Sequence, residues 1–192
     1  MLRRPCARSK VPLPTVAIVG AGPLGRWLAI AAARAGFRVL LEDVMPANLH
    51  HAQEELRQKL GPEKLGATVV FVSTIEDAVR EADLVIDCVP DELESKLEIF
   101  CLLDRMAPPK TVLATPTTRL SITDLASCTY RAERCVAIAA EAASLTARAD
   151  GEEAEEVVLR RTARTDAAAL ALVEDFWRRL GVRTRVEGDP LA

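Results

Sequence analysis

The chain has few of the side chains that usually announce chemistry. Two of its 192 residues are histidines, His50 and His51, adjacent in one polar stretch of helical period. Its five cysteines, Cys6, Cys88, Cys101, Cys128 and Cys135, form no CxxC pair and no zinc-ligand spacing. An odd set of this kind suits reduced thiols, so neither a disulfide framework nor a metal site is expected, and the expected compartment is the cytoplasm. Positive charge is not in excess either: 25 Lys and Arg stand against 28 Asp and Glu, for a net charge of -3. That excludes the electrostatic footprint of a nucleic-acid or anionic-membrane binder and leaves a small-molecule ligand as the expectation. No apolar run is long enough to span a bilayer, and the basic opening MLRRPCARSK leads into VPLPTVAIVG, whose prolines do not suit a signal-peptide core. Residues 1–13 are read as an N-terminal arm and 14–192 as one domain, without internal repeats.

What is present is a regular alternation. Residues 15–19 (TVAIV), 38–43 (RVLLED), 68–73 (TVVFVS), 83–89 (DLVIDCV), 111–115 (TVLAT) and 135–140 (CVAIAA) read as strands, and 23–36, 46–60, 75–82 and 92–106 carry the helical period between them. Apolar strands separated by helices predict an α/β fold: a doubly wound, mostly parallel Rossmann-type sheet with helices on both faces. Past the sixth strand an acidic connector, 150–156 (DGEEAEE), precedes a strand at 157–161, a helix over 166–180 with Thr165 as N-cap, and a last strand at 182–186. These are predicted as extra mixed strands at the C-terminal end. In that helix Leu170, Leu172, Val173, Phe176 and Trp177 form an apolar set that is either core or the face of a homodimer.

The first strand empties into Gly20-Ala21-Gly22-Pro23-Leu24-Gly25, a GxGxxG that opens a helix. In such a turn Gly20 permits the tight bend, Gly22 lets backbone approach a pyrophosphate, and Gly25 lets helix pack on strand. The phosphates would meet the free N–H groups of a helix that starts near Pro23, where a missing N–H costs nothing. Asp43 lies 18 residues beyond Gly25, at the end of the second strand, where a carboxylate accepts hydrogen bonds from the adenosine ribose. Val44 and Met45 follow it, with no Arg or Lys for a 2′-phosphate, so NAD rather than NADP is the expected cofactor.

The segments VAIVGAGPLGRWLAIAAARAGFRVLLEDV, ADLVIDCVPDELESK, APPKTVLAT, LSITDLA and RAERCVAI together resemble the NAD-binding domain of the 3-hydroxyacyl-CoA dehydrogenases, over most of residues 15–140. The resemblance implies an oxidoreductase of fatty acid metabolism, with Asp91 and Lys96 against the nicotinamide half of the cofactor. Asp91 could equally cap the helix beginning at Glu92, and the Lys96 stem could point to solvent. The family's Asn-Thr-Ser-Ser run falls on Pro116-Thr117-Thr118-Arg119, where Thr118 keeps a hydroxyl as a weak candidate for substrate contact while Pro116 removes an amide.

The family's proton acceptor is a histidine at the end of the sixth strand. The resemblance places it at Ala139, and the glutamate that orients it near Val158 or in the acidic connector, where Glu152, Glu153, Glu155 and Glu156 cannot be assigned its role. Glu141, two residues on, and Thr118 are the weak catalytic candidates, and a bound water is the other base considered. His50 and His51 are read as exposed residues on the adenosine side. The family also has a helical C-terminal domain that walls the acyl-CoA site, and the resemblance reaches its boundary at Gly188-Asp189-Pro190, so a chain without that domain is expected. The partners expected are the dinucleotide and either an acyl-CoA or a separate substrate-domain protein. Three readings follow: an NAD(H)-binding pseudoenzyme, an active dehydrogenase with a substitute base or partner domain, and a relic that binds nothing. Binding by backbone outlasts loss of a base, which favours the first.

Overall fold

Four strands carry unbroken apolar runs and form the middle of the sheet. β1 (Thr15–Val19), β4 (Leu84–Asp87), β5 (Val112–Pro116) and β6 (Cys135–Ala139) are buried almost throughout, as strands covered on both faces must be. The structure is a computed structural model that describes residues 13–140, 145–146 and 156–192. With β2 (Arg38–Glu42), β3 (Val69–Val72), β7 (Val157–Arg161) and β8 (Thr184–Gly188) they make one eight-stranded sheet, ordered β3-β2-β1-β4-β5-β6-β7-β8. The first six strands are parallel; β7 is antiparallel to β6, and β8 runs parallel to β7. The expected doubly wound, mostly parallel sheet with mixed strands at its C-terminal end is therefore observed.

Strand alternation divides the core in two. Val16, Ile18, Leu41, Leu84 and Ile86 face α1 (Pro23–Arg34), α2 (Pro46–Leu60) and the late helix, whereas Ala17, Val19, Val85 and Leu113 face α4 (Ile75–Val79), α5 (Leu93–Met106) and α6 (Ile122–Ser127). Two short helices were not anticipated. In α3 (Pro62–Thr68) the start signals are Pro62 at N1 and Glu63 in the first turn, but Gly66 breaks the apolar period, and β3 accordingly begins at Val69. In α6 the cap is Ser121, whose hydroxyl accepts the Asp124 N–H at 3.1 Å. Asp189, just past β8, accepts the Ser121 hydroxyl and the Thr123 N–H, each at 2.8 Å, and so pins the last strand's exit to this helix.

The late helix, α7 (Ala167–Arg179), differs from expectation at its start. Asp166, not Thr165, is the N-cap and accepts the Ala169 N–H; Thr165 donates instead to the Cys135 carbonyl at 3.0 Å. Its apolar face is core: Phe176 and Trp177 are 1% and 0% exposed, with Phe176 5.3 Å from Phe37 and Trp177 6.4 Å from Trp27, ring centroid to centroid. These two side chains therefore offer no surface to a second copy. Among the described residues no helix is long and apolar enough to cross a membrane. Trp177→Ala should remove about 3–5 kcal/mol of stability, read as a lowered urea midpoint with an unchanged slope.

Candidate functional site

β1 lies between β2 and β4, and the chain leaves these neighbours for opposite faces of the sheet; ligands of open α/β sheets collect at such a switch point, beyond the carboxyl ends of the strands. Here the glycine turn is built tightly. Gly20 has φ +100° and donates its N–H to the Glu42 carbonyl at 2.8 Å, and a Cβ there would lie 3.2 Å from the Cys88 carbonyl oxygen. A Cβ on Gly25 would fall 1.8 Å from the Gly20 carbonyl oxygen, so α1 can approach β1 only without a side chain at this position. A Cβ on Gly22 would meet nothing within 4 Å. Gly22 is the N-cap of α1 and Pro23 follows it; no side chain caps this end and its first turn holds no acid. The result is a positive helix end with an open cradle over it, which fits a pyrophosphate. Leu24, in the same turn, lines the cleft beside Gly22 and Pro23.

At the end of β2 the alternation sends two acids to opposite faces. Asp43, on the side of α1 and α2, accepts the Ala21 N–H at 2.9 Å, the Met45 N–H at 2.8 Å and the Asn48 amide on both oxygens at 3.1 Å. It is 8% exposed and lines the cleft, so its place suits a ribose diol, with Asn48 holding the carboxylate in the meantime. Glu42 points to the α4 side, is 4% exposed, and also lines the cleft. Burial, with the Asp43 charge second, pushes its carboxyl up to about 7. Neither Asn48 nor Glu42 was singled out from the sequence; the period-2 rule applied to Leu41-Glu42-Asp43 is the signal that separates the two acids.

The next strand carries a buried ion pair. Lys96, on α5, is 1% exposed and sits 3.0 Å from the Asp87 carboxylate on β4, itself 0% exposed. Asp87 also accepts the Thr115 hydroxyl at 2.8 Å and the Val89 N–H at 2.9 Å. Burial drives its pKa upward and the Lys96 charge opposes this. Lys96 therefore does not extend into solvent: it lines the floor of the cleft, tied to Asp87. Asp91 is not a helix cap either, since Glu92 holds that position with no side-chain cap bond. Asp91 Oδ1 is buried with no partner among the described residues, while Oδ2 lies 3.7 Å from Arg119. An unpartnered acceptor on the cleft wall fits a ligand amide or hydroxyl donor.

At the far end Pro116 and Ala140 line the cleft; Thr118 does not, and its carbonyl accepts from Arg160 at 3.4 Å. Ala139 is the cross-strand partner of Val158 in the β6–β7 ladder. Glu141 lies outside the described residues, as do Glu152, Glu153 and Glu155. His50 and His51 are exposed on α2, each beside a glutamate four residues on. The cleft joining these parts has a volume of about 830 Å³, in the range of sites for small molecules and cofactors. Lys96→Met should cost about 3–5 kcal/mol at neutral pH by stranding a buried carboxylate, and less as the pH falls and Asp87 takes up a proton. The double change Asp87→Asn/Lys96→Met should recover most of the loss in urea unfolding.

Comparison with known proteins agrees with this arrangement. The family described as "3-hydroxyacyl-CoA dehydrogenase, NAD binding domain" matches residues 15–140. A probable 3-hydroxybutyryl-CoA dehydrogenase of Bacillus subtilis is 35% identical over 133 residues, which is 63% of this chain and 46% of that protein. The 5-formyl-3-hydroxy-2-methylpyridine 4-carboxylate 5-dehydrogenase of Mesorhizobium japonicum is 34% identical over 130 residues, 63% of this chain and 42% of that one. This chain thus spans about half the length of the curated relatives it matches. Among solved structures, FadB2 of M. tuberculosis superposes with a TM-score of 0.79 at 26% identity, covering 93% of this chain and 65% of that one. With residues 15–140 matched by that family, and the glycine cradle and the acid at the end of β2 in place, the chain belongs to the 3-hydroxyacyl-CoA dehydrogenase family through its NAD-binding domain.

Proposed function

We propose that this chain binds NAD(H) in the cleft and no longer catalyses hydride transfer on a 3-hydroxyacyl substrate. In this reading Gly20, Gly22, Pro23, Leu24 and Gly25 hold the pyrophosphate, Asp43 the adenosine ribose, and Asp91 and Lys96 the nicotinamide half. Support for retained binding comes from the backbone, because a helix terminus and an open glycine do not depend on any one side chain.

Bound NAD supplies the hydride acceptor, which leaves the protein to take the hydroxyl proton. The observation that carries the loss is the pairing of Ala139 with Val158. The position that the family resemblance assigns to the base, and one assigned to its orienting glutamate, face each other across two strands and hold two apolar side chains. Loss of a general base lowers a rate by about a hundredfold to ten-thousandfold, and a hydroxyl at Thr118 is no substitute, being too weak a base.

The substrate class to test is an acyl-CoA thioester, the class named for the Bacillus relative. Titration with NADH, followed by tryptophan-to-NADH energy transfer, should give saturable binding, with NADPH weaker. Acetoacetyl-CoA-dependent NADH oxidation should lie at least about a hundredfold below that of the Bacillus enzyme. Turnover that disappears in Glu141→Ala would instead make Glu141 a substitute base. Gly22→Ala should fold normally yet weaken NADH binding about tenfold or more, because its methyl group fills the cradle.

A further inference from the structure

Of the two carboxyl groups at the end of β2, one is fully provided with donors. Asp43 holds contacts from Ala21, Met45 and Asn48, whereas no hydrogen bond reaches the Glu42 side chain among the described residues. Glu42 is nonetheless 4% exposed, and what remains open of it faces the cleft beside Val19 and Ile75. A buried carboxylate without donors is costly, and the usual relief is to take up a proton.

The surroundings push the same way. β1 and β3, on either side of β2, bring no charged residue. α4 brings Glu76 and Asp77, with Asp77 paired to Arg80. The β4–α5 side brings Asp87 and Lys96, which neutralise each other, the Cys88 thiol and the acid Asp91. On the other face Arg26 is paired to Glu55. Among the described residues these nearby cations are therefore engaged, and Asp43 adds a negative charge; burial and that charge push the Glu42 carboxyl up to about 7.

A protonated carboxyl has a donor and an acceptor side by side. The amino edge of adenine presents the complementary pair, a ring nitrogen that accepts and an exocyclic amine that donates. We propose that Glu42, in its protonated form, is the contact that reads the adenine ring, so that dinucleotide binding takes up a proton from solvent. This rests on the cleft being an NAD site, with the adenosine half at the end of β2. The arriving pyrophosphate is itself negative and favours the protonated acid further. Above the titration of Glu42 the protein must be protonated before or as it binds, and affinity falls.

Isothermal titration calorimetry with NAD at about pH 6 and about pH 8.5, in buffers of different ionisation enthalpy, tests this. Wild-type affinity should fall about thirtyfold across that range, and the heat near neutrality should depend on the buffer in the sense of proton uptake. Glu42→Gln keeps a donor and an acceptor at every pH, so its affinity should be pH-independent and its heat buffer-independent. Nicotinamide 1,N6-ethenoadenine dinucleotide, in which the ring nitrogen and the amine are bridged and the donor is lost, should bind both proteins more weakly. pH-independent wild-type binding without proton uptake, or the same pH slope in Glu42→Gln, would overturn the assignment. Absence of binding by either protein at any pH would instead defeat the NAD-site reading itself, and this contact with it; the buffer dependence needs no variant to fold.

Discussion

Everything at the site depends on how closely the start of α1 approaches the end of β1. Gly25 stands so near the Gly20 carbonyl that a single methyl group would fall 1.8 Å from it, and Gly20 needs a left-handed backbone to turn there at all. That close contact aims the free end of α1 along the mouth of the sheet and leaves Gly22 facing open space. It also brings Ala21 within 2.9 Å of Asp43, so the same turn that makes the anion cradle fixes the acid at the end of β2. The buried Asp87–Lys96 pair then anchors the start of α5 to β4 and completes the opposite wall. Cradle, acid and wall are coupled consequences of packing rather than independent acquisitions.

This coupling explains why binding and catalysis can part company in such a domain. The cradle is backbone and most of it belongs to the fold: a side chain at Gly20 or Gly25 would spoil the contact between α1 and β1, and Gly22 alone could gain one without disturbing it. A general base is one side chain, whereas the ladder that holds Ala139 opposite Val158 is made by backbone groups. Evolution of a sequence can therefore remove the proton acceptor without disturbing the sheet, whereas substitution of Gly20 or Gly25 threatens stability.

Much of this was legible in the residues, and the exceptions have physical causes. The central strands announce themselves because burial on both faces demands unbroken apolar runs, and Asp43 because its distance from Gly25 is set by one helix and one strand. The helices α3 and α6 are too short to show a period, and only their first-turn chemistry marks them. The cap at Asp166 rather than Thr165 is a shift of one residue between two good cap formers. For Lys96 the solvent alternative to a cofactor contact stayed open because its partner, Asp87, lies on a strand across a loop; an aspartate inside DLVIDCV was the hint, since a buried acid needs a partner. Glu42 was hidden beside the more conspicuous Asp43, although alternation alone puts the two on different faces. The opposition of Ala139 and Val158 depends on strand register, which the chain order does not reveal.

The most direct test of the account is a crystal structure of the protein with NADH. The account predicts the pyrophosphate over Gly22 at the α1 terminus, a ribose hydroxyl within about 3.2 Å of Asp43, and the nicotinamide beside Ala139 with no titratable side chain in hydrogen-bond reach of the position a substrate hydroxyl would take. A cleft that stays empty at saturating NADH would contradict the retained binding, and a carboxylate from the 141–155 segment poised over the nicotinamide would contradict the loss of catalysis.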